Sequence, residues 1–130
     1  MANNFSIIDS DILIDIGRKD TTAIKRLEEE RKTSMPAISS VTQMELLIGC
    51  RNKTELKHLD KFLEDFEIIS FNYEITQKAI ELLKEYKLSH GLLIADSIIA
   101  ATSLVLDVPL LTKNQKDYKF ISGLKLLKYP

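Results

Sequence analysis

The sequence predicts an α/β fold, a three-layer α/β/α sandwich around a central, mainly parallel sheet. Three observations carry this. Short apolar runs alternate with longer segments of helical periodicity, the pattern of successive β-α units. The runs lack period-two alternation, as expected of strands buried on both faces. Acidic residues follow directly on some of the runs, at the carboxyl edge where ligands bind in such sheets. The whole chain, residues 1–130, is expected to form one domain: its length suits a single core, and no repeat, low-complexity stretch or linker divides it.

The elements follow in order. Phe5–Ile8 reads as a buried strand, followed at once by Asp9-Ser10-Asp11 and a short helix at Ile12-Leu13-Ile14. Asp20, Thr21 and Thr22 offer caps for a charged helix over 23–32, with Ile24 and Leu27 inward. Met35–Ser39 is a second strand with Pro36 at its edge. A helix over 41–50 is capped through Ser40 with Gln43 or through Thr42 with Glu45, and Gly49 or Asn52 ends it. An amphipathic helix spans 54–66, with Leu56, Leu59, Phe62 and Leu63 inward. A third strand covers 67–71, and a helix covers 73–86 with Ile75, Ala79, Leu82 and Leu83 inward. A loop over 89–91 precedes a buried helix that runs to Leu106. Pro109 introduces the strand Leu110-Leu111-Thr112, a polar turn follows, and residues 124–127 form a last strand.

Composition excludes some functions. Lys plus Arg number 18 and Asp plus Glu 19, so a net charge of -1 gives no global attraction to nucleic acid or acidic membrane. A nucleic-acid function must rest on local basic clusters or on metal ions. No apolar run is long enough for a membrane span. The start, Met-Ala-Asn-Asn-Phe, lacks the features of a signal peptide. The lone Cys50 has no internal disulfide partner, which suits a reducing compartment, so the expected location is cytoplasmic.

The unit around Asp96 organises the chain. Asp96 interrupts an apolar run from Leu92 to Leu106, and a carboxylate there is costly to bury without compensation. Placed in the first helical turn, it meets the positive end of the helix dipole. Asp9 ends the first strand, Asp117 follows the Leu110-Leu111-Thr112 strand, and Glu45 lies on the helix after the second. Taken singly, each has a bland reading: Asp9 and Asp117 as turn residues, Asp96 as a cap, Glu45 as part of a capping box. Taken together, several carboxylates in one pocket repel each other unless cations neutralise them. An all-oxygen donor set suits Mg²⁺ or Mn²⁺, which promote phosphodiester hydrolysis.

These residues resemble the PIN domain family, most closely the VapC-type toxins of toxin–antitoxin pairs. The resemblance rests on Ile8-Asp9-Ser10-Asp11-Ile12-Leu13-Ile14-Asp15, on residues 40–49 around Glu45, on Ala95-Asp96-Ser97-Ile98-Ile99-Ala100-Ala101-Thr102, and on Leu111-Thr112-Lys113-Asn114-Gln115-Lys116-Asp117-Tyr118. They come in the family's order over nearly the whole chain. The resemblance implies a metal-dependent endoribonuclease with Mg²⁺ or Mn²⁺ as cofactor, an RNA substrate, a cognate antitoxin and a homodimer. It implies Asp9, Glu45, Asp96 and Asp117 as catalytic metal-holding acids, with Thr112, Asn114 and Ser10 in support. Asp11 stands where Asn or Ser is common and is given no ligand role.

Arg51, Lys53, Lys113 and Lys116 are candidates for RNA phosphate contact. Lys25, Arg26, Arg31 and Lys32 read as a solvated helix face, and His58 as a surface residue. Tyr118 is expected to pack, and His90 to lie near the Asp96 loop. The competing functions are a PIN nuclease of RNA maturation, a non-catalytic α/β binding module, and a receiver-like phosphoacceptor. The last needs an Asp after a middle strand, where this sequence has Ser39-Ser40 and Ser70-Phe71.

Overall fold

The computed structural model describes residues 4–130; residues 1–3, on which the expected absence of a leader sequence partly rested, lie outside the described residues. β1 (Phe5–Ile8) leads into α1 (Ser10–Gly17) and α2 (Thr21–Arg31). β2 (Met35–Ser39) leads into α3 (Ser40–Ile48) and α4 (Lys53–Leu63). β3 (Glu67–Ile69) leads into α5 (Tyr73–His90) and α6 (Ile94–Leu106), and β4 (Leu110–Leu111) into a 3-10 turn at Gln115–Asp117. The strands form one parallel sheet in the order β3-β2-β1-β4.

The absence of period-two alternation has the expected cause. Successive residues point to opposite faces of the sheet, and here both faces are covered. Ile7, Ala37 and Leu110 pack against α5 and α6 in one core. Their neighbours Ile8, Ile38 and Leu111 pack against α1, α2 and α4 in a second. The result is the three-layer sandwich. The order of strand addition reverses at β1: β2 and β3 build outward on one side, and β4 adds on the other. That is the topological switch point, where a crevice opens beyond the carboxyl ends of the strands.

Several boundaries differ from expectation. The helix after β1 runs to Gly17, and α5 runs on through Ser89 to His90, where Gly91 at φ 69 caps it with its N–H on the Lys87 carbonyl. β3 stops at Ile69, and the expected last strand is a single parallel bridge from Leu110 to Leu126. Neither proposed capping box forms on α3. Its cap is Ser39, whose Oγ accepts from the Val41 N–H, while Ser40 Oγ accepts from the Phe71 N–H.

Leu56, expected inward, is exposed. The supposedly solvated basic face of α2 is partly tied down: Arg26 pairs with Glu30 at 3.1 Å and Arg31 lies over the Phe66 ring. Among the described residues, no helix is long and apolar enough to cross a membrane.

Candidate active site

Asp9 is the first residue past β1 and the N-cap of α1, so strand geometry delivers it to the crevice. Its Oδ1 accepts from the Ser10 N–H at 2.8 Å and its Oδ2 from the Thr112 hydroxyl at 2.7 Å. Thr112 reaches it because the parallel ladder sets β4 beside β1, with the Asp9 N–H on the Leu111 carbonyl at 2.9 Å. Ser10 then turns to the other side. Its hydroxyl donates to Glu45 Oε1 at 2.6 Å and lies 3.0 Å from Thr42 Oγ1. Asp96 sits in the first turn of α6, which has no side-chain cap. Its Oδ1 accepts from the Tyr118 phenol at 3.1 Å. Asp117 stands exposed on the 3-10 turn and shares a cleft of about 240 Å³ with Asp96.

Each of Asp9, Glu45 and Asp96 therefore has a hydroxyl of its own. Together the contacts run from Glu45 through Ser10 to Asp9, and from Thr112 and Tyr118 back to the acids. Tyr118 was expected only to pack. It is 1% exposed and does pack, but it also holds Asp96. The sequence signal was its place directly after Asp117, at the end of the polar turn.

The electrostatics point one way. Burial, then the charge of Asp11, pushes the Asp9 carboxyl up to about 7 against the pull of its hydrogen bonds, and Asp96 adds to the rise. Burial also raises Asp96, with the charges of Asp117, Glu45 and Asp11 adding to it. Burial, then the charges of Asp9 and Asp96, holds the Tyr118 phenol well above its ordinary value, so it stays a donor. Among the described residues none of Asp9, Asp11, Glu45, Asp96 and Asp117 forms an ion pair.

Asp11 belongs to this acid group. Its Oδ2 accepts from the backbone N–H groups of Lys113 and Asn114, both at 3.1 Å, and lies 3.3 Å from Thr112 Oγ1. Its Oδ1 is buried with no partner among the described residues. Asn114 thus meets the site through its backbone.

The donor set fits a hard divalent cation in kind: it is anionic, all oxygen, and without protein countercharge. Among the described residues, no three His, Cys, Asp or Glu groups stand close enough as placed to share an ion. The hydroxyls of Ser10, Thr112 and Tyr118 hold three of the carboxylates in their present orientations.

The basic candidates separate. Lys116 lines the cleft with Asp96 and Asp117. Lys113 is bonded to Asp15 at 2.7 Å, Arg51 to Glu55 at 2.9 Å past the end of α3, and Lys53 opens α4 on the surface. His58 is exposed, as expected.

A model of the PIN domain family matches residues 6–121. The chain is 33% identical over 124 residues to Ribonuclease VapC1 of Methanocaldococcus jannaschii, covering 92% of this chain and 85% of that protein. It is 32% identical over 120 residues to Ribonuclease VapC10 of Mycobacterium tuberculosis, covering 92% and 90%. Among solved structures it resembles a chain of VapBC2 from Rickettsia felis bound to a promoter DNA fragment, with a TM-score of 0.82, 29% identity and coverage of 97% and 99%. It also resembles a chain of a toxin–antitoxin complex from Klebsiella pneumoniae, with a TM-score of 0.79, 30% identity and coverage of 95% and 96%.

Proposed function

The chain belongs to the PIN domain family, and on that premise we propose that it is an endoribonuclease, the toxin of a VapBC-type toxin–antitoxin pair, dependent on Mg²⁺ or Mn²⁺. The observation that carries the metal dependence is the uncompensated charge around Asp9: a carboxyl 6% exposed, with further acids about it and no described cation paired to them. Buried charges of one sign persist where something of the other sign joins them.

Asp9, Glu45, Asp96 and Asp117 would hold the ion or ions. A bound divalent ion polarises a phosphoryl oxygen and makes water a competent nucleophile near neutral pH. The chain's own residues supply orientation. Thr112 and the Ser10 N–H fix the two oxygens of Asp9, Ser10 Oγ fixes Glu45, and the Tyr118 phenol fixes Asp96. Asp11 ties down the turn after β4 through the N–H groups of Lys113 and Asn114, so that Asp117 is presented from a fixed loop. A carboxylate left free of protons and metal accepts the proton shed by the attacking water. Lys116 is the cleft's cation for a substrate phosphate; Arg51, Lys53 and Lys113 extend a weaker basic rim that gives affinity without sequence readout.

The named relatives are ribonucleases, and the similar solved structures include toxin–antitoxin complexes; both support an RNA substrate and a cognate antitoxin for this chain. RNA cleavage and the free thiol of Cys50 fit a cytoplasmic protein. We also propose a homodimer, because Ile80, Leu88, Leu93 and Ile94 leave apolar surface exposed on α5 and at the start of α6. Light scattering at tens of micromolar should give twice the chain mass. The experiment for the activity is cleavage of labelled single-stranded RNA by the purified protein. Cleavage with Mn²⁺ or Mg²⁺ and none in EDTA is expected; cleavage unaffected by EDTA overturns the metal dependence, and no cleavage with either ion overturns the enzyme.

A further inference from the structure

The cleft beside Asp96 and Asp117 has a second wall that the metal chemistry does not use. The rings of His90 and Phe120 stack on each other at 4.0 Å with 8° between their planes, and the Tyr86 ring packs edge-on against both. Both stacked rings line the cleft, and Leu93 and Lys116 complete its floor and rim.

The backbone explains the juxtaposition. His90 is the last residue of α5, Gly91 reverses the chain in the left-handed region, and α6 begins three residues later with Asp96 in its first turn. From the other side, the segment after the 3-10 turn carries Tyr118 inward to Asp96 and Phe120 outward to His90. Two separate chain segments thus each deliver one acid-linked group and one ring. Ser89 Oγ and His90 Nδ1, 2.7 Å apart, restrict the imidazole further.

We propose that this aromatic wall is a nucleobase subsite, in which a ring face not covered by the His90–Phe120 stack takes one base of the RNA next to the scissile phosphate. The proposal rests on the ribonuclease reading above and adds to it the residues that seat a base. Its logic is chemical. An RNA strand whose phosphate lies at the acids carries a flat, weakly polar base a few ångströms away. The cleft is smaller than a drug-sized pocket, which suits one base. Base faces stack on aromatic rings with little regard for sequence, and only a base out of its helix offers a free face. Lys116 brings donors and no acceptor, so it meets a phosphate or a base carbonyl.

The test uses short single-stranded oligoribonucleotides carrying 2-aminopurine at successive positions, mixed with the full chain and Ca²⁺, a hard cation that neutralises the acids, and read before any cut strand is detected. Wild type should quench the fluorescence at one position and bind the single strand well ahead of the same sequence in duplex. His90→Ala, an exposed helix-end change, should lose that quenching and bind about ten- to a hundredfold more weakly. His90→Phe should keep both, and Phe120→Leu should fall with His90→Ala. Position-independent quenching in wild type, or His90→Ala binding and quenching like wild type, overturns the subsite. Cleavage by wild type with Mn²⁺, measured in parallel on the unmodified strand, reports separately on the nuclease reading, so the two can fail apart.

Discussion

Two carboxylates near opposite ends of β1 are almost equally hidden from solvent, Asp9 lying the deeper, and the protein treats them in opposite ways. Glu30, 7% exposed, lies under the strand's N-terminal half, where Ser6 and Ser34 donate to its Oε2 at 2.5 and 2.7 Å and Arg26 pairs with its Oε1 at 3.1 Å. Burial pushes its pKa up, but those donors outweigh burial and hold it below the ordinary range. Asp9, 6% exposed, lies past the C-terminal end with two neutral donors and more acids for company, and is pushed up to about 7. Low exposure alone therefore does not separate the two; depth without countercharge, at the edge of the sheet where ligands bind, does.

The largest break in this contrast comes from the acid side. Asp96→Asn should reduce RNA cleavage by about a hundredfold or more, while the metal-free protein melts at the same temperature or higher because one like charge has gone. Cleavage of labelled RNA and melting curves read both; near-normal cleavage by the variant contradicts the assignment. The Glu30 side should respond in stability alone. Glu30→Ala leaves Arg26 without its partner and should cost about 3 kcal/mol in urea unfolding, with any stabilisation by Mn²⁺ retained. Loss of that metal response would erase the distinction between the two ends. A smaller effect is expected of Tyr118→Phe. It removes the phenol's bond to Asp96, which should cost about 1 kcal/mol of stability and lower cleavage by about tenfold at most.

The two acids also titrate with opposite signs. Asp9 holds its proton in the folded state at pH values where the unfolded chain has released it. Its burden on stability is thus absent below pH 3.8 and grows as pH rises through about 7, to a ceiling of roughly 4 kcal/mol. Glu30 does the reverse: its contribution is present above about pH 4.5 and is lost as pH falls through its lowered folded value. Urea unfolding of metal-free protein across pH 5 to 8 should show stability falling with pH, and in Asp9→Asn that slope should flatten.

Much of this was legible in the sequence, and the reasons differ by element. Strands buried on both faces leave short, mainly apolar runs without alternation, so β1, β2 and β4 and the parallel sheet could be read directly. Asp9 and Asp96 did not stand out singly, since a turn acid and a helix cap account for each; they stood out because Asp9, Glu45, Asp96 and Asp117 all fell after strands or on the adjoining helices. Glu30 did not, because a Glu in a run of charged helix residues looks solvated until Ser6 and Ser34, distant in sequence, are seen to reach it. The helix end at His90 was missed because Ser89-His90-Gly91 reads as a loop, when only Gly91 breaks the helix. That error hid the stack of His90 on Phe120, thirty residues apart in sequence, which periodicity cannot reveal. The last strand failed for a plain reason: its apolar residues pair through one bridge only.

Melting of wild type and Asp9→Asn, with and without Mn²⁺ at pH 6 and pH 8, tests the central claim most directly. The uncompensated acid site predicts that metal-free wild type melts lower at pH 8 than at pH 6 and that Mn²⁺ restores it most at pH 8. It also predicts that Asp9→Asn matches or exceeds metal-free wild type at pH 8 and gains little from Mn²⁺. If Mn²⁺ leaves wild type unchanged and Asp9→Asn melts lower than wild type at pH 8, Asp9 is a structural carboxylate like Glu30, and the metal site is wrong.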